Sequence, residues 1–192
     1  MVTTLTDAGE SDRLPLCCRY LLAAICDVPL RTPDASTPMR WGLGALPDGK
    51  LEILGVWPPH GRNTSAGQAI CSDLRRRGVE VIHYLAGSGS DGLNAALCSA
   101  FSDAIVLRDD WHPSAADLGR RHTRILRSAS GAVHELRRRI NRAVARRASF
   151  PSSAVAASFI SAKLVALEPS IVSFETTTCR RTDVRVRRPQ HL

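Results

Sequence analysis

The 192-residue sequence is short of aromatics, nearly without lysine, and has no long apolar run. Only 5% of its residues are aromatic, which leaves few rings on which single-stranded bases could stack. No apolar stretch reaches the ~18–20 residues needed to cross a bilayer. The best candidate, 14–25, is interrupted by Arg19. The first residues hold Asp7, Glu10 and Asp12 against a single Arg13. That segment lacks the basic start of a secretory signal, so a cytoplasmic protein with no membrane partner is expected. Six cysteines, at 17, 18, 26, 71, 98 and 179, include no C-x-x-C pair. They are expected to be reduced, mostly buried thiols rather than zinc ligands.

What is present is a globular composition: 44% apolar, 23% charged, 13 Gly and 11 Pro. It fits about one domain with a real core. Charge is unevenly placed. Residues 1–112 sum to −3 and residues 113–192 to +11. A neutral-to-acidic front and a strongly basic back suggest a polyanion partner, most often a nucleic acid.

Residues 1–13 are polar and expected to form a flexible N-terminus. Apolar runs predict strands over Tyr20–Val28, Met39–Leu46 and Leu51–Trp57. Pro47-Asp48-Gly49-Lys50 turns the last two into a hairpin. Ala66, Ile70 and Leu74 repeat at spacing four, predicting a helix over Thr64–Arg77 closed by Gly78. A strand over Val79–Ala86, a turn over Gly87–Gly92, a short helix over Leu93–Phe101 and a strand over Ala104–Leu107 follow. The remainder reads as helices at Pro113–Arg127, Gly131–Arg147 and Ser153–Leu167. The order β-β-β-α-β-α-β followed by basic helices indicates an α/β fold with one mixed sheet, and it resembles the ribonuclease H-like fold. That divides the chain into a core over 14–112, a basic helical extension over 113–168, and a basic tail over 169–192 with no helical period, expected to be disordered.

Two chemistries compete at the turn after the fourth strand. Gly87-Ser88-Gly89-Ser90-Asp91-Gly92 fits G-x-G-x-x-G between a strand and a helix, with Asp109-Asp110 about 20 residues on. That is the context of a dinucleotide-binding turn. The fingerprint normally sits on a first strand, however, and no second βα half follows. The other reading pairs Asp91 with Asp27. A charge inside the apolar strand Ile25-Cys26-Asp27-Val28 is costly unless paired, hydrogen-bonded or bound to metal. If the first and fourth strands are neighbours, both carboxylates reach one sheet end, where they could ligate Mg²⁺ or Mn²⁺ for phosphodiester chemistry. The plainer alternatives are a strand-end Asp27 and a helix-capping Asp91.

Several segments together resemble a known family. They are ALPDGKLEILGVW at 45–57, DLRRRGV at 73–79, Asp91-Gly92-Leu93, and FSDAIVLRDDWH at 101–112. Their order and spacing are similar to those of the Mutator-type transposases of bacterial insertion sequences. Asp109 stands where that family has Cys, and Ser102 where it has Pro. The resemblance implies a DDE-type enzyme that cuts DNA and transfers strands with Mg²⁺ or Mn²⁺. It puts the two catalytic, metal-binding aspartates on Asp27 and Asp91 and an auxiliary histidine on His112. A third acid falls most naturally on Glu135, with Glu168 and Glu175 further along. An ion pair of Glu135 with Arg138 or Arg139 is the structural alternative. A DNA-binding protein without catalysis, associated with the nucleoid, and a dinucleotide-binding protein are the other readings.

Between Arg120 and Arg147 the sequence has ten arginines and one acid. Arg120, Arg121, Arg124 and Arg127, and then Arg137, Arg138, Arg142 and Arg146, recur at helical spacing. They form the candidate DNA-binding set, suited to phosphates rather than to base edges. Homo-oligomerisation is left open by the sequence.

Overall fold

The computed structural model describes residues 14–30, 32–34, 38–59, 63–87, 91–107, 115–147 and 149–182; side chains at 63–65, 91, 115–118 and 168–182 lie outside that description. The elements run β1 (Arg19–Val28), β2 (Met39–Ala45), β3 (Leu51–Trp57), α1 (Asn63–Arg76), β4 (Val81–Gly87), α2 (Asp91–Ala100), β5 (Ile105–Leu107), α3 (Ala115–Ala145) and α4 (Ser153–Thr182). Up to β5, these bounds fall within two residues of those expected from the sequence pattern.

The apolar character of β1 dictates its place. Tyr20 through Cys26 and Val28 are all buried, so both faces of the strand need a cover. The sheet order is β3-β2-β1-β4-β5, with β1 in the middle. β1 pairs antiparallel with β2 and parallel with β4, β2 antiparallel with β3, and β4 parallel with β5. The β2–β3 hairpin turns where predicted. Gly49 adopts φ +98° there, and the Lys50 amide donates to Asp48 Oδ1 at 2.9 Å.

Each sheet face carries a helix pair. On one, Ile25, Leu54, Trp57 and Leu85 pack with Ile70 and Leu74 of α1 and with Leu93 and Leu97 of α2. On the other, Cys26, Val28, Met39, Trp41 and Leu43 pack with Leu136 and Ile140 of α3 and with Ala156, Ile160 and Leu164 of α4. Ile125, Leu126 and Ala129 carry α3 on to Leu21, Leu22 and Tyr84. Cys26 and Cys71 are buried and Cys98 partly so, but Cys17 and Cys18 are exposed.

Two helix expectations differ from the structure. The predicted break before Gly131 is absent: α3 passes through it, because Ala129, Ala132 and Leu136 keep the apolar side of the helix continuous. The departure from helical geometry lies at Gly119 instead (φ 66°, ψ 147°). The second concerns α4, which continues through Pro169 to Thr182, so the segment expected to lack a period is helical that far. A proline's fixed φ is compatible with a helix, though it removes one backbone hydrogen bond.

The start of α4 is tied to the β1–β2 connection. Asp34 accepts hydrogen bonds from the Ser153 amide (3.0 and 3.1 Å) and from its hydroxyl (2.8 Å). These donors hold the Asp34 carboxyl below its usual range, the backbone amide contributing most. A depressed folded-state pKa gives a stabilisation present above the unfolded value of about 3.9 and lost as pH falls through the folded one. Asp34→Ala is therefore expected to lower the melting temperature at pH 7. The gap from wild type should close as pH falls through the depressed folded-state pKa, followed by circular dichroism.

Candidate functional site

Asp27 sits near the end of β1, directly opposite Arg40 of β2 in the antiparallel register. Side-chain alternation puts Asp27 on the face shared by Ala23 and Ile25, the side covered by α1 and α2. Arg40 Nε stands 2.9 Å from Asp27 Oδ1. The Arg40 side chain is 3% exposed and that of Asp27 26%. The charge that looked costly in an apolar strand thus meets an equally anomalous charge in the neighbouring strand. Each makes the other tolerable, since a buried guanidinium without a carboxylate would be severely penalised.

Asp91 is the first residue of α2, four beyond the end of β4 at Gly87. Gly87 pairs with Ile25, two residues before Asp27. Both aspartates therefore belong to the same end of adjacent parallel strands. Ser88–Ser90 of the glycine turn, together with Asp109, Asp110 and His112, lie outside the described residues.

Glu135 lies on α3, where it accepts hydrogen bonds from Arg138 at 2.9 and 2.7 Å and from Arg139 at 2.6 Å. Arg138 first, then Arg139, hold its carboxyl down at about 2. This is the intrahelical ion pair that the spacing allowed. Among the described residues, no three His, Cys, Asp or Glu side chains gather into a group that could hold a metal ion.

The motif segments also contain polar residues whose roles the sequence did not reveal. Trp57 Nε1 donates to Asp73 Oδ2 at 2.9 Å, tying β3 to α1. Asp73 is 4% exposed and also takes Arg76 (2.9 Å) and Arg77 (3.5 Å). Arg77 donates onward to the carbonyls of Leu54 and Leu14, lacing β3 and the start of the described chain to the helix end. Gly78 at φ +99° lets the chain reverse after α1, and the Val79 amide returns to the Leu74 carbonyl at 3.0 Å. Glu52 accepts from the hydroxyl of buried Tyr20, whose pKa burial pushes up. The only advance signal for these roles was a charged residue recurring inside an apolar frame, as in D-L-x-x-R-G-V.

The arginines of α3 take the side the core does not use. Ile125, Leu126, Ala129, Ala132, Leu136, Ile140 and Val144 face inward and are buried. Arg120, Arg121, Arg124, Arg127, Arg137, Arg138, Arg142 and Arg146 are all exposed. From Arg120 to Arg142 the helix rises about 33 Å, close to one turn of a B-form duplex at roughly 34 Å. Arg121 also donates to the Pro47 carbonyl at 3.3 Å. Arg147 lies over the rings of Phe150 and Phe159, at 5.5 and 4.9 Å, where the turn into α4 begins.

A five-stranded mixed sheet between two helix pairs, with an arginine-lined helix on one side, defines the class: a mixed α/β protein with a basic helix. Residues 14–118 match the family model described as Transposase, Mutator family. The chain belongs to the Mutator family of transposases, and DNA is the substrate the family implies. Comparison with curated proteins yields no match. The family match ends at residue 118, before Arg120, so the basic row lies just beyond it. No helix among the described residues is long and apolar enough to cross a membrane.

Removing one partner of a buried ion pair leaves the other charge uncompensated. Asp27→Ala is expected to cost about 3–5 kcal/mol in urea denaturation, and Arg40→Met added to it should recover most of that loss. Asp73→Ala strands Trp57 Nε1 and Arg77 together and should cost a similar amount, about 3–5 kcal/mol, by the same measurement.

Proposed function

We propose that this Mutator-family chain binds DNA through the exposed arginine side of α3, and that Asp27 and Glu135 serve as partners for arginines. The observation that carries this reading is the set of exposed guanidinium groups on a helix whose other side is used by the core. Arginines spaced along a helix suit phosphate oxygens, which give affinity and position but no sequence information. The sheet order 3-2-1-4-5, with β2 antiparallel to its neighbours, supports a ribonuclease H-like core.

The fit of Mg²⁺ or Mn²⁺ to the acids is poor where side chains are described. A cation already in contact with a carboxylate weakens its attraction for a second one. Arg40 already lies against Asp27, and two guanidinium groups hold Glu135. A metal beside either carboxylate would face a positive charge at contact distance. One observation favours a second reading, the metal-dependent cleavage and strand transfer implied by the family. The β1–β4 register brings Asp27 and Asp91 to one end of neighbouring strands.

One set of samples separates the two readings. Wild type and the Arg120→Ala/Arg124→Ala/Arg142→Ala triple variant are titrated with labelled DNA across a salt series. The wild type is expected to bind unrelated sequences alike. The triple variant should lose roughly 2 to 3 from the slope of log K against log salt, at about 0.9 per phosphate contact. An unchanged slope would contradict the proposal. Plasmid nicking with Mg²⁺ or Mn²⁺ that disappears both in Asp91→Ala and in the stability-restored Asp27→Ala/Arg40→Met would establish the second reading.

A further inference from the structure

The solvent side of α3 has a shape as well as a charge. Arg120, Arg124, Arg127, Gly131, His134, Arg138 and Arg142 follow one another at steps of three and four residues, so they share one row along the helix. All are exposed. Gly131 is the midpoint of that row. Three arginines precede it and two follow His134, so long cationic side chains rise at both ends of a low centre.

Nothing inside the protein explains a glycine there. Its φ is not in the left-handed region, and a Cβ built on it meets no atom within 4 Å. Glycine is the least favourable residue for a helix interior after proline, and this one lies in the middle of a long helix. A position where a side chain would favour the helix and meet no obstacle within the chain, yet where none is present, points to a constraint from outside it.

We infer that α3 is a saddle for duplex DNA, with Gly131 as the seat and the flanking arginines as its two raised ends. The inference rests on the DNA-binding reading above and adds the form of the DNA and the point of contact. A duplex presents a stiff, convex ridge of phosphates. A row that is tall at Arg124 and Arg127, flat at Gly131 and tall again at Arg142, with Arg138 held on Glu135 between them, is concave to match. The ridge can then approach the helix backbone at Gly131 while the arginines reach phosphates on either side. His134, beside the seat, adds a ring N–H that can donate to a phosphate oxygen. A single strand is flexible and can wind around an added side chain, so it would gain little from the low centre.

The test uses the full chain with Gly131→Ala and Gly131→Leu, a labelled random-sequence duplex, and one of its strands alone. Both substitutions should raise the melting temperature, because both favour the helix and neither meets an obstacle. Gly131→Leu should weaken duplex binding by about tenfold or more and single-strand binding by much less, with Gly131→Ala in between for the duplex. A raised melting temperature with duplex affinity unchanged in Gly131→Leu would overturn the saddle. Equal losses for duplex and single strand would overturn it as well. If wild type bound no DNA, the underlying reading would fall with it. If the arginine triple variant lost binding and Gly131→Leu did not, only the saddle would fall.

Discussion

The double-sided burial of β1 dictates how everything else is arranged. Seven consecutive residues from Tyr20 to Cys26 exclude water on both sides of the strand. That leaves β1 no place except the middle of the sheet, and it requires helices above and below. One cover is the α1–α2 pair, reached by ordinary βαβ steps. The other must come from the chain after β5, and α3 and α4 supply it. α3 satisfies the demand with one apolar side, from Ile125 to Val144. Its remaining surface is free of core duty, and there the arginines accumulate. The architecture of the sheet and the placement of the basic face are two consequences of one burial requirement.

The residues that carry the family resemblance hold the scaffold together. Trp57 from the hairpin motif and Asp73 from the helix motif are hydrogen-bonded to each other, and Arg77 from the same motif locks the helix end to β3. Asp27 is likewise tied to Arg40 across two strands. A charged residue embedded in an apolar frame gives the same sequence signal whether it serves a fold or a reaction. Deciding between them takes the identity of its partner, which only the tertiary structure supplies.

The sheet was legible in the sequence because the strands are apolar and bounded by turn residues; the Asp48-Gly49 hairpin and the close at Gly78 are where local chemistry alone suffices. The arginine face was legible too, since helical spacing survives any tertiary arrangement. What could not be read was long-range pairing. Arg40 sits 13 positions from Asp27, and Asp34 is 119 from the Ser153 it caps. The helix across Gly131 was missed for a related reason. Local propensity favours a break there, but the packing of Ala129, Ala132 and Leu136 against the sheet outweighs the ~1 kcal/mol that an interior glycine costs. Glu135 offered a third acid by position in the chain, and the structure adds that Arg138 and Arg139, three and four residues on, pair with it.

DNA binding through the arginines of α3, as proposed, puts the contact on that helix and not at the ends of β1 and β4. An amide chemical-shift map of the isotope-labelled chain, titrated with a short duplex, reads the contact surface directly and needs no substitution. The largest shifts are expected on the exposed row from Arg120 to Arg142, with Asp27, Arg40 and the start of α2 unmoved. Shifts concentrated at Asp27 and Asp91, with the α3 row silent, would contradict it and return the site to the paired strand ends.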